Sequence, residues 1–360
     1  MWFDRYVPSR LAHTACCLAV MLAGCALELS GLGPIVDAGR VTDSGARLDA
    51  GPIDGSVLDA ASPVDARTGD DAAFSDTAVA DAGFDPCVDG PLSDSFRLCP
   101  FSTPRLIGAL SSPATDDDPT LTADLLEFYF NSFRAGGRGG GDIWVSRRGS
   151  PSDGWATPVL VTELSTPSGE TTPEVSADGL TMWISSNRPG STVGDYDIWT
   201  SRRADRSSGW STPVLVPGLS TPERDVAATL SRDGLEATVS MSPPGGGDWD
   251  LARATRSTIT AGWGPVMRVT ELYTARAELD GYFDRTGLHL FFDHDLGVGW
   301  ARDIVFSTRA DRTSAFDLPT PIPALNGPEG EEDPWLSDDT RYVVFASARS
   351  GVLELYEASR

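Results

Sequence analysis

The chain has 360 residues, with 52 acidic side chains against 28 basic ones and a formal net charge of -24. Phosphate backbones are bound by basic stripes, so this balance argues against nucleic acid as a partner. Every basic residue is arginine, and the absence of lysine excludes lysine-dependent catalysis.

At the N-terminus, Arg5 and Arg10 precede an apolar stretch from Leu11 to Gly24 that is short for a membrane span and of the right length for an export signal. It closes with Leu22-Ala23-Gly24-Cys25, which resembles the bacterial lipoprotein signal. The resemblance implies removal of residues 1–24 and lipid modification of Cys25, with the lipid anchor as the sole membrane contact. Ala26 follows rather than aspartate, which by the same resemblance implies the outer membrane. Residues 25–86 are rich in Ala, Asp, Gly and Ser and cannot bury enough apolar surface to offset ordering entropy. They are expected to form a disordered tether, and about sixty residues of flexible coil span about 40 Å. Cys87 and Cys99 lie in an exported context that permits oxidation, so a disulfide is expected to close the lead-in, residues 87–100.

From residue 101 onward one pattern repeats. Its marker is the Asp of an Asp-Gly turn, with equivalents Asp124, Asp178, Asp233, Thr286 and Asp339, at steps of 54, 55, 53 and 53 residues. Each unit reads as four short β-type runs separated by turn signals, without helical periodicity. In the second unit the runs are Pro173 to Ser176, Leu180 to Ser185, Asp197 to Arg202 and Trp210 to Val216. Four strands at this period are the grammar of a β-propeller blade.

The units resemble the TolB-type, WD40-like propeller repeat, written Pro-x-Leu-Ser-x-Asp-Gly, then Leu-x-Phe-x-Ser-x-Arg, then Asp-Ile-Trp/Tyr. The resemblance covers 101–360; it is specific for fold and poor for function, and implies a binding scaffold because that family is mostly recognised as one. Phe101-Ser-Thr-Pro copies Trp210-Ser-Thr-Pro at the start of a fourth strand, and Glu354 to Arg360 copies a third strand. A ring that pairs the N-terminal strand with the C-terminal three leaves no exposed edge and has five blades. The expected fold is therefore all-β, a five-bladed β-propeller of four-stranded antiparallel blades.

Eight residues before each marker stands an acid: Asp116, Glu170, Asp225, Glu278 and Glu331. On innermost strands these five ring one mouth of the central channel, and Asp117, Asp118, Glu332 and Asp333 thicken the ring in the first and last units. Such a ring admits a hard cation such as Ca²⁺, or else each acid caps backbone N–H groups or meets Arg134, Arg188 or Arg349. A second set, Asp142, Asp197, Asp250, Asp303 and Glu354, is followed six residues later by Arg148, Arg203, Arg256, Arg309 and Arg360, a pairing that reads as architecture. Trp249 and Trp300 precede third strands, where they either stack on a sugar or fill the space between blades. His289 and His294 are the histidines beyond the signal, and no nucleophile or zinc motif is present. The functional expectation is an envelope-anchored, non-enzymatic binding scaffold for an envelope protein or a cell-wall glycan, without a required cofactor. The alternative is a glycan-active hydrolase using carboxylates around the central channel.

Overall fold

In the computed structural model the described residues are Phe96, 99–192, 195–244, 246–295 and 302–360. The chain divides into two units, Met1–Asp81 and Ala82–Arg360, and every described residue falls in the second. Cys25, Cys87, Trp300 and the tether lie outside the described residues.

Five four-stranded antiparallel sheets form a ring. Blade one is β2 (Asp116–Leu121), β3 (Glu127–Ser132), β4 (Asp142–Arg147) and β5 (Val159–Leu160). Blade two is β6 (Glu170–Val175), β7 (Thr181–Ser186), β8 (Asp197–Arg202) and β9 (Val214–Leu215). Blade three is β10 (Arg224–Leu230), β11 (Glu236–Ser242), β12 (Asp250–Thr255) and β13 (Met267–Arg268). Blade four is β14 (Glu278–Phe283), β15 (His289–Asp295), β16 (Arg302–Thr308) and β17 (Thr320–Pro321). Blade five joins β18 (Glu331–Leu336), β19 (Tyr342–Ser347) and β20 (Glu354–Ser359) to β1 (Arg105–Leu106), which pairs antiparallel with β20 through Arg105↔Glu357 and Leu106↔Tyr356. The ring closes as the repeat phase predicts.

The third strand of the second unit runs over Asp197–Arg202 as read from the sequence, but its first strand begins at Glu170 rather than at Pro173. The reason is a β-bulge. In every innermost strand the register with its neighbour shifts, between Asp117 and Thr120, Thr171 and Glu174, Val226 and Thr229, Leu279 and Tyr282, and Glu332 and Trp335. The bulge lets the strand run through a proline, because the innermost strand is an edge and a missing N–H there costs no ladder bond. The fourth strands shrink to two residues each, since proline and turn residues follow their leading aromatics.

Packing is between blades. Tyr129, Ile143 and Val145 of blade one meet Met182, Ile184 and Trp199 of blade two, with Trp210 over the seam. Phe291 and Phe306 of blade four meet Phe345 and Tyr356 of blade five, and Phe101 joins that cluster. The arginine after each third strand locks this arrangement. Nε of Arg148, Arg203, Arg256, Arg309 and Arg360 donates to the carbonyl of Leu125, Gly179, Gly234, Gly287 and Thr340, the residue at positive φ in each turn between first and second strands, at 2.7, 2.6, 2.7, 2.9 and 2.7 Å. The same guanidinium lies over the aromatic that leads the fourth strand: Trp155 at 4.1 Å, Trp210 at 4.5 Å, Trp263 at 4.3 Å, Phe316 at 4.6 Å and Phe101 at 5.5 Å. In two blades it also reaches a buried acid of the preceding blade, Arg203 to Glu127 and Arg309 to Glu236.

Phe101 thus closes the ring by filling, from the other end of the chain, a place its equivalents fill within their own blades. Phe101→Ala is expected to destabilise the propeller by about 3–5 kcal/mol, the usual cost of truncating a buried aromatic. Urea unfolding checks this; a loss under 1 kcal/mol would show that closure rests on the β1–β20 ladder alone.

Candidate functional site

The five acids eight residues before the markers all lie at the start of innermost strands, and each is buried, at 0 or 1% exposure. One carboxylate oxygen of each accepts a backbone N–H four residues earlier: Ser112 to Asp116 at 2.7 Å, Thr166 to Glu170 at 2.6 Å, Thr221 to Asp225 at 2.5 Å, Thr274 to Glu278 at 3.4 Å and Gly327 to Glu331 at 2.7 Å. In blades one, two and five the other oxygen meets the second strand and the arginine after it. Ser132, Ser186 and Ser347 donate Oγ–H to Asp116, Glu170 and Glu331 at 2.5, 2.9 and 3.0 Å, and Arg134, Arg188 and Arg349 pair with the same acids at 2.6, 3.2 and 3.1 Å. His294 stands at the serine place in blade four, its Nε2 3.5 Å from Glu278. Burial outweighs the favourable bonds and lifts Asp225 and Glu278 to about 7. The geometry makes this ring a set of turn anchors, with each carboxylate engaged inside its own blade.

Trp249 is half-buried, with the Arg224 guanidinium 4.7 Å from its ring centre. That face of the indole is covered. Arg224 also pairs with Asp195 at 3.0 Å. Cys99 is in a disulfide, and its expected partner Cys87 lies outside the described residues.

The side chains that converge on the axis sit two residues further along, at the bulges. Asp118, Thr172, Ala227, Asp280 and Asp333 occupy equivalent places, with φ of 52, 45, 53, 52 and 58°. Aspartate tolerates this left-handed conformation, whereas β-branched Thr172 is strained there. At three of the five junctions the side chain at the bulge bonds the backbone of its counterpart in the next blade. Asp118 Oδ2 accepts from Thr172 N at 3.0 Å and Thr171 Oγ1 at 2.6 Å, Thr172 Oγ1 accepts from Ala227 N at 3.1 Å, and Asp333 Oδ2 accepts from Asp118 N at 3.1 Å. Ala227 has no acceptor to offer, and Ser240 Oγ takes the Asp280 N–H instead, at 3.0 Å. The result, among the described residues, is a belt of hydrogen bonds that runs around the axis from blade five through blades one, two and three to blade four.

Three of these five residues are acidic, and oxygens of Asp118, Asp280 and Asp333 all lie within 4.8 Å of one another. They line an axial cavity of about 40 Å³ together with Thr172, Ala227 and Glu174. Burial first, and then the neighbouring carboxylates, push Asp280 and Asp333 well above the ordinary carboxylate range. Asp118 and Asp333 were visible in the sequence as extra acids; Asp280 was missed. Its signal was register, since all three stand six residues before their turn markers.

Glu174 and Tyr282 form the neck between this cavity and a wider mouth on the turn side of the ring. The mouth has a volume of about 210 Å³ and draws residues from all five blades, among them Trp183, Trp335, Arg232, Arg285 and Asp338. Among the described residues Glu174 Oε2 accepts one hydroxyl, Thr120 Oγ1 at 2.9 Å, and burial lifts its carboxyl to about 8.

Two consequences can be measured. Glu170→Ala leaves Thr166 N–H and Arg188 without their buried acceptor and is expected to cost about 1–3 kcal/mol in urea unfolding; an unchanged midpoint would mean that the turn holds itself. At Glu174 the folded chain keeps a proton that the unfolded chain releases near the ordinary value of 4.5, so stability falls as pH rises from there to about 8 and stays low above it. Glu174→Gln removes that fall: the variant should melt several degrees above the parent at pH 8.5 and together with it at pH 4.5. Parallel melting curves across this range would refute a buried proton at Glu174.

No family model matches the chain, and no curated protein matches it. Among solved structures it is similar to TolB from Acinetobacter baumannii at 17% identity and a TM-score of 0.43, over 70% of this chain and 56% of that one. The chain therefore spans a little over half of that TolB. It is similar to an endo-arabinase from Bacteroides thetaiotaomicron at 9% identity and a TM-score of 0.50, over 72% of this chain and 97% of that one, and to an alpha-L-arabinofuranosidase from Lactobacillus brevis at 10% and 0.49, over 71% and 94%. At such identities the likeness is one of fold, and the fold is a five-bladed β-propeller.

Proposed function

We propose that this chain is an envelope-anchored lipoprotein whose propeller is a non-enzymatic binding scaffold, with the turn-side mouth of the channel as its ligand seat. The observation that carries the reading is the 210 Å³ mouth, where Trp183 and Trp335 lie beside Arg232, Arg285 and Asp338. Aromatic walls with a few charged groups at the rim suit a segment of a protein partner that presents an apolar side chain and a carboxylate, and suit a glycan less well because the rim has few amide or hydroxyl donors. A ring of five rigid blades presents that seat at little entropic cost. The export signal and lipid-modified Cys25 read from the sequence would place it in the cell envelope at the end of a long tether.

Hydrolysis of a glycan suits the axial carboxylates poorly. Glycosidase pairs stand about 5–5.5 Å apart when retaining and about 6.5–9.5 Å apart when inverting, with a sugar between them. Here the three carboxylates approach within 4.8 Å around a cavity of about 40 Å³, which admits water but not a sugar ring.

A photo-crosslinking residue in place of Arg285 in the full chain, expressed in the envelope, is expected to trap a discrete protein adduct that Trp183→Ala weakens at least tenfold. The same chain incubated with arabinan and peptidoglycan should release no reducing sugar. Sugar release, or an adduct indifferent to Trp183→Ala, would overturn the reading.

A further inference from the structure

The axial acids belong to blades four, five and one, three consecutive blades that flank the seam where the two ends of the chain pair. Asp118 Oδ2 and Asp333 Oδ2 are already bonded to backbone or hydroxyl donors, so these two side chains are held in place by the belt. Asp280 is different. Among the described residues its carboxylate accepts no N–H or O–H bond, and the group within its hydrogen-bonding reach is another carboxyl, that of Asp293.

Asp293 supplies the independent observation. It is fully buried, its Oδ2 is held by Arg302 Nη1 at 2.8 Å, and its Oδ1 has no hydrogen-bond partner. Arg302 Nη1 is shared with Glu332 Oε2 at 3.2 Å, so this guanidinium already serves two acids on its own side. A buried acceptor without a donor is destabilising, more so when charged, and such groups call for an ion or water the chain does not itself provide.

We propose that Asp118, Asp280 and Asp333, backed by Asp293, bind one divalent hard cation of the Ca²⁺ class on the propeller axis. The donors are all oxygen, which selects Ca²⁺ or Mg²⁺ over softer metals. Ligand distances of about 2.3–2.6 Å let oxygens on one calcium shell lie up to about 5 Å apart, whereas a magnesium shell at about 2.0–2.1 Å spans only about 4 Å. Oxygens within 4.8 Å of one another fit the larger ion with least movement. The cavity of about 40 Å³ leaves room for the ion and a water or two to complete its coordination. Thr172 and Ala227 carry no charge at the two remaining bulges, so the ion would sit toward blades four, five and one and tie the closing blade to both of its neighbours. This assignment is independent of what the turn-side mouth binds.

The test uses the full chain, freed of metal with EDTA. Calorimetric titration with CaCl₂ at 0.15 M NaCl should show one site per chain, distinct from weak, non-saturating association with the acidic surface, and 1 mM Ca²⁺ should raise the melting temperature. Asp280→Asn should weaken that site at least tenfold, and Asp280→Asn with Asp333→Asn should abolish it, while Asp153→Asn, on the exposed surface, leaves it intact. Should the double variant fail to fold, terbium luminescence sensitised through Tyr282 in the parent chain, displaced by Ca²⁺ at a one-to-one ratio, reads the same site. Absence of a stoichiometric site, or a site retained with undiminished affinity in Asp280→Asn, would overturn the proposal.

Discussion

A guanidinium group, used five times, holds this ring together. Each arginine after a third strand has its donors on a turn carbonyl and its face on the aromatic that begins the fourth strand, and a planar, always charged group can do both where an ammonium could not. The turn in question has a residue at positive φ, and the arginine satisfies the carbonyl of that residue, in blades two and four at a fully buried place. Where Glu127 or Glu236 of the preceding blade also receives the guanidinium, the latch becomes a tie between blades. Buried pairs of this kind contribute little net stability over a well-packed apolar core, but they enforce register, because a shifted blade would strand the charge.

From this lock follows the division of labour among the acids. Those at the head of the innermost strands hold the turns that deliver the chain from one blade to the next. Their regularity is the regularity of a structural part. The bulge two residues later is where the repeat stops being uniform: blades one, four and five place aspartate there, blade two threonine and blade three alanine. A bulge aims its side chain along the ring rather than across the sheet, and five of them in register build a belt whose inner surface is set by what each blade contributes. The asymmetry concentrates carboxyl groups on one arc of the axis and leaves the turn-side mouth, with its tryptophans and arginines, as the wider part of the channel.

Much of this was legible without coordinates. A period near 53 residues, four strand-like runs per period and the phase of the two chain ends determine a five-bladed ring and its closure, because both the alternation of side chains along a strand and the turn chemistry between strands are local properties. The arginine after each third strand was also readable as architecture from its recurrence, though its partners, a turn carbonyl and an aromatic, were not. The strand boundary at Glu170 was not, since Pro173 reads as a start when the bulge before it is unseen. Nor was Asp280: alternation along β14 cannot place a residue whose backbone turns left-handed and departs from the period of two.

What the sequence determined by itself, then, is the number of blades, their order and the acids that recur with them, all consequences of spacing along the chain. What only the tertiary structure decided is which carboxylates meet. Asp118, Asp280 and Asp333 are scattered over more than 200 positions and converge because the ring brings equivalent bulges to one axis, while the five more regular acids, which share a periodic place, each hold a separate turn. Periodicity reports what each blade needs for itself, and proximity at the axis depends on closure of the whole ring.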